Sequence, residues 1–133
     1  MTQEDKQLLL KDLSARLPYG VKCIVTKSRT EEGQKGDVGK IGWVSLEGVD
    51  CIGDREPFFS EFGNFKPYLI PLSSMTEKQK KEYQYITERW MYDPSYSISD
   101  STDWLNKNHF DYRGLIEKGL AIEAPKDMYK NQQ

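Results

Sequence analysis

The chain of 133 residues is the size of one domain, 1–133, long enough to bury a core without disulfide or metal staples. Its side chains are 37% hydrophobic and 30% charged, which is polar for a globular protein but outside the disordered range, and a 12% aromatic share adds rings that bury much area each. The net charge of −2, from 19 basic and 21 acidic residues that interleave, argues against nucleic acid as a main partner, because that affinity comes from clustered Lys and Arg.

In chain order, Thr2 caps a first helix with Glu4 and Asp5 in its first turn, where carboxylates favour the positive end of the helix dipole. Leu9, Leu10, Leu13 and Leu17 recur at helical spacing, and Pro18-Tyr19-Gly20 ends the segment. Residues 21–26 (VKCIVT) are rich in β-branched side chains and predict a strand. Residues 27–39 are polar and glycine-bearing, a mobile loop or hairpin tip. KIGWVSL at 40–46 and VDCIG at 49–53 read as short strands joined by a tight Glu47-Gly48 link, and FKPYLIPL at 65–72 as a strand that Pro67 and Pro71 confine to an edge or bend. SSMTEK then offers two overlapping capping boxes, Ser74 with Glu77 and Thr76 with Gln79, before a helix carrying Tyr83, Ile86 and Trp90 that stops ahead of Asp93-Pro94. Residues 94–101 read as a loop, followed by a short helix with Trp104 and Leu105 and another that begins at Asp111 and ends at Gly119. LAIE at 120–123 adds a last strand, and residues 126–133 read as a frayed tail. The fold class is α+β: an amino-terminal helix, a small antiparallel sheet or SH3-like partial barrel, and two to three carboxy-terminal helices.

The amino terminus is charged from residue 4, without the apolar run of a signal peptide, and no stretch has the length of a membrane span. Cys23 and Cys51 lie in apolar alternating stretches, which implies buried free thiols in a reducing cytoplasm. One histidine and two separated cysteines do not make the usual closed zinc site, and no calcium loop is present, so neither a metal nor a cofactor is expected. GQKGDVGKIG at 33–42 lacks the glycine order of a P-loop or a dinucleotide fingerprint. Within it, GDVGKIG resembles a KOW-type loop of small ribosome- and transcription-associated barrels.

The densest mixture of chemical groups is WLNKNHFDYRGLIEKGL at 104–120, which holds the only histidine, His109. Read structurally, Asp111 is an N-cap with Phe110 and Leu115 at hydrophobic-staple spacing, and His109 lies in the link before it. Read functionally, His109 is a general base oriented by Asp111, with Arg113 holding an anion. The structural reading is the stronger, because neighbours two apart in sequence rarely orient one another as an acid–base pair needs. A Cys23–His109 or Cys51–His109 nucleophile pair matches no cysteine-enzyme signature. Exposed, Trp104, His109, Tyr112 and Arg113 would suit protein docking, for which Trp, Tyr and Arg are the common anchors. PFFSEFGNFKPY at 57–68 crowds its rings between Glu56 and Glu61; packing of Phe58, Phe62 and Phe65 between sheet and helices is the simpler account, with Phe59 the candidate for a peptide groove.

KPYLIPLSSMTEKQKKEY at 66–83 and DWLNKNHFDYRGLIEKGLAIEAP at 103–125 together resemble small proteins of unassigned function from gut anaerobic bacteria, their prophages and other mobile elements. The resemblance implies a cytoplasmic accessory role and carries no catalytic residues. The leading expectation is a non-enzymatic protein-binding module with an unidentified protein partner. The alternatives are a nucleic-acid-associated small-barrel protein and a small hydrolase or transferase using His109 and Asp111.

Overall fold

In the computed structural model, which describes residues 1–28 and 32–129, the first helix starts where Thr2 does. The Thr2 hydroxyl accepts the Asp5 N–H at 3.0 Å, satisfying one of the free donors at the start of α1 (Gln3–Arg16). Leu9 and Leu13 are fully buried on its inner face, with Leu8 and Leu17 beside them. A single 3-10 turn over Leu17–Tyr19 follows, and Gly20, at φ 73°, reverses the chain in a conformation that side chains disfavour.

The sheet is built by strands β1 (Lys22–Val25), β2 (Val38–Val44), β3 (Gly48–Gly53), β4 (Pro57–Glu61) and β5 (Phe65–Pro71), all antiparallel to their neighbours. Two short strands, β6 (Phe110–Asp111) and β7 (Ile122–Glu123), pair parallel to β5, giving the order β4-β3-β2-β1-β5-β6 with β7 also on β5. The sheet is therefore mixed rather than purely antiparallel, and it does not close into a barrel. One of its strands, β4, was not expected. PFFSE starts with a proline and puts Phe58 toward the core and Phe59 toward the outer face, which erases the apolar–polar alternation that marks a strand. Where β4 passes Gly48, at the start of β3, the two strands approach closely: a side chain at Gly48 would collide with the Ser60 carbonyl.

Alternation along the strands sends Val21, Cys23, Ile41, Val49, Cys51, Phe65 and Leu69 to one face, where α1 and the segment Leu115–Ala121 cover them. Cys23 and Cys51 meet over Gly39, with their sulfurs 3.3 Å apart; a Cβ on Gly39 would already crowd that of Cys51. The hydrogen bond from Cys51, and then burial, push the Cys23 thiol well above its ordinary range. Of the expected loop at 27–39, residues 29–31 lie outside the described residues. The rest is tied down: Gly36 N–H donates to Val25, Gly33 N–H to Phe59, and the Glu32 carboxylate accepts Glu61 N–H at 2.8 Å on the open edge of β4.

Helix α2 (Glu77–Arg89) opens with the Thr76–Gln79 box, both of whose hydrogen bonds form; Ser74 belongs instead to the 3-10 turn at Leu72–Ser74. Helix α3 (Ile98–Lys107) starts inside the stretch expected to be loop, because Asp100 accepts the Ser97 N–H at 2.6 Å and so supplies the box acid. No helix starts at Asp111. That residue ends β6, and the chain turns once over 114–119, with Gly114 and Gly119 at positive φ. Nor is the tail loose as far as Tyr129, which is buried; residues 130–133 of the expected frayed end lie outside the described residues. The Tyr129 hydroxyl accepts Lys22 N–H at 2.8 Å and donates to the Tyr68 carbonyl at 2.9 Å, joining backbone groups of β1 and β5 that do not reach each other. Among the described residues no helix is long and apolar enough to cross a membrane.

Candidate functional site

His109, Asp111, Tyr112 and Arg113 sit where α3 hands over to β6, and the structure spends most of their chemistry internally. His109 has no exposed surface, adopts φ 64°, and stacks on the Tyr129 ring at 3.7 Å between centroids and 16° between planes. Its carbonyl accepts Ile70 N–H at 2.8 Å, which starts the parallel pairing of β5 with β6. Asp111 is a cap, as its sequence context implies, though of a single turn: its two oxygens accept Leu115 and Ile116 N–H at 2.9 Å each. Each carboxylate oxygen is thus committed to a backbone N–H.

Tyr112 and Arg113 belong to a network that the sequence did not announce. Asp12 and Arg16, one helical turn apart on α1, are both fully buried. Arg16 donates to Asp12 through Nε at 2.8 Å and Nη2 at 3.1 Å, and Nη2 also reaches the Phe110 carbonyl at 2.7 Å. Arg113 donates to the same aspartate at 3.3 Å. The Tyr112 ring lies between both guanidiniums, 5.3 Å from Arg16 and 4.8 Å from Arg113, while its hydroxyl donates to Asn106 at 2.9 Å. This ties α1, α3 and β6 together. An i,i+4 acid–base pair normally decorates a helix surface, so nothing in the local sequence marks this one as core.

Trp104 is different. Its ring is stacked on Phe110 at 5.7 Å and lies against Tyr83 at 5.5 Å, yet one edge remains half-exposed and lines a shallow, mostly apolar groove of about 350 Å³ with Lys81, Glu82, Tyr85 and Ile86. The groove runs between α2 and α3, which pair with each other as a helical hairpin. Helix α2 buries none of its residues. Around the groove and the connection between the helices, Tyr85, Trp90, Met91, Tyr92 and Ile98 are exposed. Tyr85 is held in place by Arg89, whose guanidinium lies 4.8 Å from the ring. Asp93, at the end of the hairpin helix, accepts both the N–H and the hydroxyl of Ser95, which lowers its pKa below the usual carboxylate range.

Phe59 is half-buried on the outer sheet face, opposite Asp50, and borders a polar hollow of about 740 Å³ between the 32–38 segment and the 53–58 turn. Phe58 packs inward, and Phe62 and Phe65, 5.7 Å apart, complete that side of the core. The five sequence-marked residues therefore do not converge. Trp104 alone joins an apolar surface, Tyr112 and Arg113 form the α1–β6 junction, His109 stacks on Tyr129, and Phe59 stands apart. Among the described residues no three His, Cys, Asp or Glu side chains gather to hold a metal ion. No family model, curated protein or solved structure matches this chain.

Proposed function

We propose that this chain is a non-enzymatic protein-docking module that engages its partner through the α2–α3 hairpin. One observation carries the reading. Of the ten large hydrophobic side chains that are exposed among the described residues, five fall within residues 85–98, on α2, the connection after it and the start of α3, and no residue of α2 is fully buried. Isolated exposed apolar groups are ordinary on any surface, whereas exposed Tyr, Trp, Met and Ile gathered in one stretch of chain next to an apolar groove have the composition of an interface core. A free-standing helix of this length is marginal in water, so a hairpin with exposed apolar side chains gains from a partner.

The resemblance over 66–83 and 103–125 adds a cytoplasmic accessory role in gut bacteria or their mobile elements to the proposal. The hydrolase reading has less to support it, since His109 has no exposed surface and Asp111 is a cap. The nucleic-acid reading loses its main support with the open sheet and the balanced charge. A photo-crosslinking residue at Tyr92 is expected to yield discrete higher-mass adducts in cells, and one at Lys40 on the outer sheet face to yield none. The reverse pattern would remove the hairpin from the docking surface.

A further inference from the structure

Where α1 meets the chain after β6, two guanidiniums share one carboxylate. Arg16 is fully buried; its Nε and Nη2 are bonded to Asp12 and the Phe110 carbonyl, but Nη1 is buried with no hydrogen-bond partner among the described residues. Arg113 reaches the oxygen that Arg16 Nη2 also uses, Asp12 Oδ1, and does so through Nε alone. Both arginines keep their charge at any ordinary pH. The polar groups around them are otherwise engaged. Asp111 is taken by Leu115 and Ile116 N–H, and the Tyr112 hydroxyl by Asn106, while the Tyr112 ring meets both guanidiniums as a π system without net charge.

We infer that Arg16 and Arg113 bind a small monovalent anion, of the size and charge of chloride, beside Asp12. A buried N–H without a partner is destabilising by its full desolvation, and a buried guanidinium that shares its carboxylate with a second one is short of negative charge as well. A water molecule meets the first need and not the second. One anion meets both, since two guanidiniums, one carboxylate and one monovalent ion are electrically neutral together. Full burial of Arg16 favours a monatomic ion over sulfate or phosphate, whose further oxygens and charge call for donors beyond these two side chains. Arg113, with 16% of its side chain exposed, stands on the solvent side of the pair and gives the ion its way in. The ion bridges the same elements that Asp12 joins, so its binding is read in stability.

Two measurements on the full chain test this. Crystals grown in sodium bromide are expected to show an anomalous peak in contact with Arg16 Nη1. Thermal unfolding at fixed ionic strength is expected to give a midpoint about 3–6 °C higher in sodium chloride than in sodium gluconate, saturating as chloride rises. Arg113→Gln, at a partly exposed position, should fold by circular dichroism and lose most of that difference, with Arg113→Lys recovering part of it. Ordered water at Nη1 with no anomalous signal, or equal midpoints in the two salts, would overturn the inference. A chloride effect that Arg113→Gln leaves intact overturns it too, because the ion would then sit elsewhere.

Discussion

The sheet body and the α2–α3 hairpin use the same residue types to opposite ends. In the body, arginine, aspartate, tyrosine and histidine are turned inward and bonded to one another: Arg16 with Asp12, Tyr129 with Lys22, Tyr68 and the His109 ring. In α2 and the connection after it, tyrosine, tryptophan and charged groups face out, and the hairpin's full burial is confined to α3, whose Trp104 stacks on Phe110 and whose Asn106 accepts from Tyr112. A residue list rich in catalytic-looking groups therefore describes a structural junction, while the exposed apolar surface is built from groups that look ordinary in sequence. Burial and not chemical richness separates the two.

Substitutions can break that contrast. The largest effect is expected from Asp12→Ala, which leaves the Arg16 guanidinium buried without its carboxylate and should cost about 3–5 kcal/mol in denaturant unfolding. Tyr129→Phe keeps the stacked ring and removes the hydroxyl between Lys22 N–H and the Tyr68 carbonyl; a loss of about 2–3 kcal/mol is expected, with faster amide exchange at Lys22. Asp111→Ala frees the Leu115 and Ile116 N–H groups and should cost about 2 kcal/mol, with Asp111→Asn recovering part, because an amide oxygen can still accept one of them. On the hairpin, Tyr85→Ala and Tyr92→Ala should each change stability by less than about 0.5 kcal/mol, while association is lost. Were those two to unfold the domain, the contrast between the regions would fail.

Alkaline pH sharpens the same contrast. Cys23 is raised by its hydrogen bond and burial, from an ordinary value of 9.0, and Tyr129 mainly by burial, from 10.0. Both hold their protons longer folded than unfolded, so the unfolded chain ionises first as pH rises. Their contributions are fully present below those ordinary values and decline above them. Unfolding midpoints should therefore stay flat up to about pH 9 and fall beyond it. Thiol reagents at pH 8 should label neither cysteine until the chain unfolds, and rapid native labelling would contradict the packing of that pair.

Legibility followed the local signals. α1 with its Thr2 cap, strands β1, β2, β3 and β5, and α2 with the Thr76–Gln79 box are all marked by period, caps and β-branched runs. Asp111 was legible as a cap, but not that it closes a single turn, because a two-residue parallel strand borrowed Phe110 and Asp111 for β5. β4 hid behind two adjacent phenylalanines on opposite faces, and α3 began early on an aspartate box. Burial of Asp12 and Arg16, and the docking of Tyr129, depend on partners 94 and 61 residues away, which no window of sequence contains. The hairpin surface went unmarked because exposure of Tyr85, Met91, Tyr92 and Ile98 is decided by what α2 lacks on its outer side. Trp104 was its one legible member.

The central claim, that the outward hairpin and not the His109 junction meets a partner, is tested most directly by a photo-crosslinking residue placed in turn at Tyr85, Tyr92, Tyr112 and Phe59 of the intact chain in cells. The account predicts discrete adducts from positions 85 and 92 and none from 112 or 59. Adducts from 112 or 59 while 85 and 92 give none, or no adducts from any of the four, would contradict it.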